Sequence, residues 1–254
     1  MAWNPDKYNQ FKAERYAPFY DVLSLINKKP NLKVIDLGCG TGELTSMLAR
    51  KLPNATVLGV DSSSEMLVKA KAFANNSLSF KQSSIEEQIA INQKWDLIFS
   101  NAAIQWVDHH QELFPRIIKL LNPGGQIAIQ MPSQTENALN QILDELVKEQ
   151  PYKEHLKNYH RISPVLKTDE YAQILFESGV KSMTVFEKIY PIIGQTYIDL
   201  YDFISGSALP PYLDKLAGEA KENFNSEYQS RIKTRFPQSP TLYPFKRIII
   251  EAKF

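Results

Sequence analysis

Three short stretches hold residue types suited to chemistry. The first is Gly38-Cys39-Gly40-Thr41-Gly42, with Asp36 just before it. Glycine has no Cβ, so such a loop tolerates positive φ and lets a ligand approach bare backbone. The loop should also offer backbone N–H groups at the start of a helix. The second is Asp61, 23 residues after Gly38. A carboxylate at that distance accepts hydrogen bonds from ribose hydroxyls, which points to a nucleoside-containing ligand; the bland alternative is a helix cap. The third is Asn101-Ala102-Ala103-Ile104-Gln105-Trp106. An indole N–H and an amide N–H can both donate to a carboxylate oxygen; the alternative is that Trp106 caps the core while Gln105 sits in solvent. The glycine spacing narrows the ligand. G-x-G-x-G lacks the second gap of a dinucleotide fingerprint, and Glu43 stands where a phosphate loop needs lysine. An acidic residue there repels phosphate.

The elements that must position these residues are legible from hydrophobic pattern. Val34–Leu37 reads as a buried strand feeding the glycine loop, with a helix over 43–52 after it. Thr56–Val60 is a second strand ending at Asp61, and Ser63 or Ser64 can cap a helix through Phe73. Leu78–Lys81 and Trp95–Phe99 are the third and fourth strands. A helix over 110–121 leads to the turn Asn122–Gly125 and to a fifth strand, Gln126–Met131. Strands alternating with helices imply βαβ units and a parallel sheet covered on both faces. Ligands in such sheets bind beyond the carboxyl ends of the strands, which puts the glycine loop, Asp61, Ser83–Glu87 and Ser100–Trp106 on one rim. At the start of the chain, Tyr8 and Phe11, then Leu23 and Ile26, suggest one or two short helices, with Pro18 opening the second. Residues 133–179 read as mostly helical and Val180–Ile189 as a strand. Residues 195–232 are helical, interrupted at Pro210-Pro211. Residues 236–245 hold three prolines and read as a loop before a last strand, Arg247–Lys253.

Composition excludes several classes. A net charge of +1 gives no electrostatic footprint for nucleic acid or an anionic membrane. The single cysteine, Cys39, excludes an internal disulfide and a cysteine zinc cluster, and no metal is expected. No apolar run reaches the roughly 20 residues of a membrane span, and the first residues lack a signal peptide's apolar core. The expectation is a cytoplasmic monomer acting on a small molecule.

Asp36-x-Gly38-x-Gly40-x-Gly42 resembles motif I of the class I S-adenosylmethionine (SAM)-dependent methyltransferases. SAM has a sulfonium and an ammonium and no phosphate, so an acidic loop suits it. Further stretches follow in order: Gly59-Val60-Asp61-Ser62-Ser63, Asp96–Trp106, Glu112-Leu113-Phe114-Pro115 and Leu120–Gly125. With Trp3-Asn4-Pro5, Tyr8, Ala13-Glu14-Arg15 and Gln130-Met131-Pro132, the chain resembles the trans-aconitate 2-methyltransferase family, densely over residues 3–132 and thinly beyond.

The resemblance implies an α/β, Rossmann-like, seven-stranded, mostly parallel sheet with helices on both faces. It implies one domain: an N-terminal helical cover (1–30), a SAM-binding core (31–132) and a helical lid (191–245) before the last strand. SAM would contact Asp36, Gly38, Cys39, Gly40, Gly42, Asp61 and Ser62 on one side, and Asn101, Ala102 and Trp106 on the other. Near the adenine, where the family usually has an acidic residue, stand Ser84 and Ile85. Trp106, Gln105 and Gln10 would hold the accepting carboxylate. Tyr8, Arg15 and Arg247 would bind the rest of the acid, with His160, Arg161 and Lys246 as further cations. A carboxylate is already ionised at neutral pH, with a pKa near ~4, so no general base is required; His109 and His110, at a helix start, are expected to face solvent. One departure is Pro210, where a family example carries arginine, which removes a cation that a tricarboxylate would use. The alternatives are a methyltransferase for another carboxylate such as malonyl-acyl-carrier protein, an NAD-dependent oxidoreductase, or a silent SAM-binding protein.

Overall fold

The computed structural model describes the backbone of residues 12–254 and the side chains from Tyr16 onward. Trp3, Tyr8 and Gln10, and the side chain of Arg15, lie outside the described residues. In chain order the elements are α1 (Lys12–Ser24), β1 (Lys33–Leu37), α2 (Glu43–Lys51), β2 (Thr56–Asp61), α3 (Ser64–Ala70), β3 (Leu78–Gln82), α4 (Ile85–Ala90), β4 (Trp95–Asn101), α5 (His110–Ile118) and β5 (Leu121–Pro132). There follow α6 (Ala138–Leu146), α7 (Tyr152–His155), α8 (Thr168–Glu177), β6 (Ser182–Gly194), α9 (Tyr197–Ser205), α10 (Pro210–Leu213), α11 (Gly218–Arg235) and β7 (Thr241–Lys253).

Val34, Ile35 and Leu37 are all buried, so successive residues of β1 are covered on both sides, as in a parallel strand between two helical layers. β1 pairs in parallel with β2 on one edge and β4 on the other. β2 carries β3 and β4 carries β5, both parallel, while β7 runs antiparallel to β5. The sheet has seven strands in the order β3-β2-β1-β4-β5-β7-β6. This is the mixed, Rossmann-like sheet expected. The order reverses between β1 and β4, and a crevice opens beyond the carboxyl ends of the strands at such a reversal.

The chain divides into two compact units. One holds Pro18–Pro132, Pro164–Lys188 and Arg247–Phe254. Its sheet has two unlike faces, because side chains alternate along a strand. One face is apolar: Ile98, Ile127, Ile129, Met131, Ile248 and Ile250 pack with Leu113, Phe114 and Ile117 of α5 and with Tyr171, Ile174 and Leu175 of α8. The other is partly polar. Phe19 of α1 meets Phe99 edge-on, ring centroids 5.9 Å apart. The Gln126 amide accepts from the Asn27 N–H at 3.0 Å and donates to the Leu25 carbonyl at 3.0 Å, tying the chain after α1 to β5.

The other unit is built mainly from Ser133–Ser163 and Ile189–Lys246. Leu139, Ile142, Leu143 and Leu146 line one face of α6 at helical spacing. They belong to a core with Phe224, Tyr228 and Ile232 of α11 and Leu200 and Phe203 of α9. The Tyr228 hydroxyl donates to the Leu139 carbonyl at 2.9 Å, which satisfies a buried polar group.

Prolines account for the departures from the sequence reading. Pro18 opens no second helix; it lies inside α1, where burial of Phe19, Val22 and Leu23 offsets an interior proline's penalty of about 3 kcal/mol. Pro210 and Pro211 start α10 instead of only interrupting helix, since a first-turn residue needs no N–H. Residues 241–245, read as loop, belong to β7. The β5–β7 register ends at Pro132–Arg247, so Pro244 falls past the ladder that its missing N–H would break.

Phe19→Ala tests whether α1 is fastened to the sheet. It should lower the unfolding free energy by about 3–5 kcal/mol, read from urea denaturation; a loss under ~1 kcal/mol would mean the helix is only loosely held.

Candidate functional site

The glycine loop follows β1 and the Asn101–Trp106 segment follows β4, so adjacent strands deliver both to the reversal point. They meet closely. A Cβ added at Gly38 (φ +83) would fall 2.1 Å from the Ala103 Cβ, far inside contact distance. Gly42 (φ +74) is equally confined, with Ala70 and Phe80 both 2.8 Å from its would-be Cβ. Gly40 differs: its φ is +53, and nothing lies within 4 Å of an added Cβ. Gly38 and Gly42 are glycines for packing, and Gly40 faces open space.

The loop does not present the row of N–H groups expected from the sequence. The Gly38 and Cys39 N–H groups both donate to the Val60 carbonyl at 2.9 Å, and the Gly42 N–H to the Cys39 carbonyl at 3.0 Å. The Gly40 N–H donates to Asp61 Oδ2 at 2.8 Å. With these donors engaged internally, the loop is no anion nest, in keeping with Glu43 beside it.

Asp61 ends β2 and also accepts from the Ser63 N–H at 2.9 Å through Oδ1. Ser63, not Asp61, caps α3, its hydroxyl accepting from the Met66 N–H. A carboxylate has about four lone-pair sites, so Asp61 retains acceptor capacity for a ligand hydroxyl. Ser62 beside it is exposed. Ser84 caps α4 in a reciprocal box with Glu87, so its oxygen already accepts one bond; Ile85 is buried just after it, its N–H in the helix's first turn.

Asp36 is buried, and the Thr45 hydroxyl donates to its Oδ2 at 2.6 Å. Its Oδ1 has no hydrogen-bond partner among the described residues. Burial pushes its carboxyl up to about 7, opposed by the Thr45 bond and aided by the charge of Asp61. Cys39 packs with Leu67, Ala70 and Phe80. Burial, then the nearby Asp36 and Asp61, push its thiol well above the usual range, so it is a small apolar side chain and not a nucleophile.

On the β4 side, the Ser100 hydroxyl donates to the Leu37 carbonyl at 2.8 Å and locks the two strand ends together. Ala102 adopts φ +55, an uncommon conformation for a residue with a Cβ, of the kind that clusters at functional sites. Residues 104–106 form a 3-10 turn. Within it the alternative reading is reversed: Gln105 is buried and Trp106 is 41% exposed. The Gln105 amide turns inward and donates to the Ala102 carbonyl at 2.8 Å.

His110 corrects an expectation. His109 is exposed, but His110 is fully buried under the turn. Its Nε2 lies 3.0 Å from the Ile104 carbonyl and its Nδ1 2.5 Å from the Tyr171 hydroxyl. A carbonyl only accepts, so Nε2 carries the hydrogen and Nδ1 accepts from Tyr171. Burial pushes the imidazole below its usual pKa and keeps it neutral. Its two nitrogens brace the turn and leave no base for a ligand.

Arg247 starts the β5-paired part of β7 and is 8% exposed. Its guanidinium donates to Gln130 Oε1 at 2.6 Å, and Gln130 Nε2 donates to Asn101 Oδ1 at 2.6 Å. Gln130 is a link that the sequence reading missed; apolar neighbours on both sides marked it only as an interior strand position. The other cations lie in the second unit. There His160 Nε2 sits 2.5 Å from Asp144, and Lys246 Nζ 3.9 Å from Glu136. Pro210 at the start of α10 supplies no charge. No group of His, Cys, Asp and Glu side chains that could hold a metal ion is found among the described residues, nor a helix long and apolar enough to cross a membrane.

Comparison with known proteins gives this geometry a context. A family model described as a methyltransferase domain matches residues 28–183. The trans-aconitate 2-methyltransferase of Deinococcus radiodurans is 38% identical over 258 residues, covering 99% of this chain and 98% of its own. That of Variovorax paradoxus is 31% identical, with 100% and 98% covered. Among solved structures, Bacillus subtilis YcgJ superposes with a TM-score of 0.61 at 14% identity, covering 94% of this chain and 98% of its own. A Haemonchus contortus phosphoethanolamine N-methyltransferase bound to S-adenosylhomocysteine gives a TM-score of 0.55 at 18% identity, covering 97% of this chain and 52% of its own.

Asp36 should make stability pH-dependent. Its folded pKa of about 7 lies above the unfolded value of 3.8, so folding takes up a proton between these values and stability falls as pH rises through that window. The difference corresponds to a loss on the order of 4 kcal/mol. Asp36→Asn keeps an acceptor for Thr45 and should flatten the fall in urea midpoint between pH 4.5 and 8; an unchanged slope would show that Asp36 is ionised in the folded chain throughout.

Proposed function

The chain belongs to the trans-aconitate 2-methyltransferase family of SAM-dependent enzymes, and from that premise we propose that it transfers a methyl group from SAM to one carboxylate of trans-aconitate, giving the monomethyl ester. The observation that carries the reading is the close pairing, at the strand reversal, of a glycine loop with four N–H groups engaged internally and a turn bearing an exposed indole. The open space at Gly40 and the buried Asp36 Oδ1, which has no hydrogen-bond partner among the described residues, suit a cationic, phosphate-free cofactor.

SAM, when bound, supplies a sulfonium-activated methyl group. The residues of the chain bind and orient. In this reading Asp36, Cys39 and the three loop glycines take the methionine side. Asp61, with Ser62, takes the ribose, since the oxygen that holds the Gly40 N–H keeps lone pairs for hydroxyls. Ser84 and Ile85 border the adenine, and Asn101 and Ala102 face the cofactor from the carboxyl end of β4 and just beyond it. Trp106 donates its indole N–H to the accepting carboxylate. Gln105 acts by shaping the turn through Ala102. Arg247 takes a second carboxylate, for which a guanidinium fork is suited. Roles for Tyr8, Gln10 and Arg15 toward the acceptor are proposed on the family resemblance alone. The accepting carboxylate is anionic at neutral pH, so no proton has to be removed first. That agrees with a neutral, doubly bonded His110 and a Cys39 thiol held protonated. The enzyme's task is then alignment and exclusion of water, carried out by a monomer in the cytoplasm.

Labelled SAM with a panel of polycarboxylates tests the acceptor: trans-aconitate should take the label, and transfer only to another acid, such as a malonyl thioester, would keep the class and replace the substrate. Calorimetry should detect SAM binding and none of NADH; the reverse would favour an oxidoreductase. Trp106→Ala should lower kcat/KM for the acceptor by about 100-fold, the size of a misalignment effect, with SAM affinity within a few-fold of wild type. Equal loss of both would make Trp106 a structural residue.

A further inference from the structure

Asn101, Gln130 and Arg247 come from three strands yet share one face of the sheet. Asn101 is the register partner of Gln130, and Arg247 that of Pro132. Side chains two apart on a strand point the same way, so Gln130 and Pro132 share a face, and Arg247 is a diagonal neighbour of Gln130. Gln130 is 0% exposed and bridges the other two through bonds of 2.6 Å on each side.

The polarity of this bridge is dictated by chemistry. Arginine has donors only, so the Gln130 group facing Arg247 must be its carbonyl oxygen. The Gln130 NH2 then faces Asn101, and the Asn101 group facing it must be Oδ1. Asn101 is left with its Nδ2 hydrogens for a ligand. The guanidinium thereby determines, one residue removed, whether Asn101 offers hydrogens or lone pairs. An amide buried between apolar strand neighbours, with both ends engaged, is costly to rearrange.

We propose that Gln130 is a positioning residue for methyl transfer: it orients the Arg247 guanidinium toward the acceptor's distal carboxylate and fixes Asn101 as a hydrogen donor toward the cofactor. This rests on the roles given above to Arg247 and Asn101. It assigns the coupling between the two subsites to one side chain that touches neither ligand. Gln130 is neutral and adds no negative charge beside the guanidinium, whereas a carboxylate at position 130 would pair with Arg247 and weaken its attraction for the acid.

The test uses Gln130→Met, Gln130→Glu, Arg247→Met and the double variant Gln130→Met/Arg247→Met. The readouts are the trans-aconitate Kd by calorimetry with S-adenosylhomocysteine present, the SAM Kd, and the melting temperature. Gln130→Met keeps volume and should weaken trans-aconitate about ten-fold, equivalent to one charge-assisted hydrogen bond. In the Arg247→Met background the same change should cost less than about two-fold, because residues acting through one another are not additive. Gln130→Glu keeps an acceptor toward Arg247 but turns the Asn101 amide over. It should weaken trans-aconitate by more than Gln130→Met does and SAM by about five-fold or more, the scale of one lost hydrogen bond, with the fold intact. Full additivity of the two methionine changes would overturn the link to Arg247, and unchanged SAM affinity in Gln130→Glu would overturn the link to Asn101. Should Gln130→Met fail to fold, Gln130→Glu and Arg247→Met decide alone: equal, small effects on both ligands would sink the proposal. Failure of wild type to bind or methylate trans-aconitate would instead count against the substrate reading, with the SAM arm still judging the relay.

Discussion

A Cβ at Gly38 would fall 2.1 Å from the Cβ of Ala103, and the site is built on that contact. Two loops from neighbouring strands can approach so closely only if one has no side chain at the crossing. The Ser100–Leu37 bond fixes the strand ends just beneath. The 3-10 turn then has one place to go, with Gln105 folded inward and Trp106 outward, and His110 and Tyr171 brace it from behind. The glycine loop and the Asn101–Trp106 turn are thus held at one distance by packing and by these hydrogen bonds.

The same loop spends its own N–H groups on Val60, Cys39 and Asp61. A glycine loop of the phosphate-binding kind leaves such donors pointing at the ligand. Here recognition is left to carboxylates and to open space, which favours a ligand with positive charge and hydroxyls. Asp61 does two things with one group: it fixes the loop and retains lone pairs able to accept from a hydroxyl.

The polar face of the sheet is divided along its length. At one end Gln126 joins β5 to the chain after α1 and to the buried Glu251 at 2.5 Å. At the other, Gln130 joins β4, β5 and Arg247. Both glutamines are on β5, four residues apart, so they occupy the same face. One serves folding; the other lies at the rim where ligands bind. Buried polar groups of this kind are tolerated because each has its partners.

Much of this was legible in the chain. The parallel strands, the rim and the glycine loop follow from short apolar runs that end in glycine or aspartate, since local spacing alone sets those elements. The sequence also excluded phosphate, through Glu43 beside the loop. It did not reveal that four of the loop's N–H groups are consumed, that His110 is buried, or that Gln130 bridges Asn101 and Arg247. Each of these depends on a partner distant in sequence: Val60 for the loop, Tyr171 for His110, Arg247 for Gln130. A residue's type and its near neighbours fix what it is able to donate or accept. Only the folded sheet, by setting strands from opposite ends of the chain side by side, decides to whom.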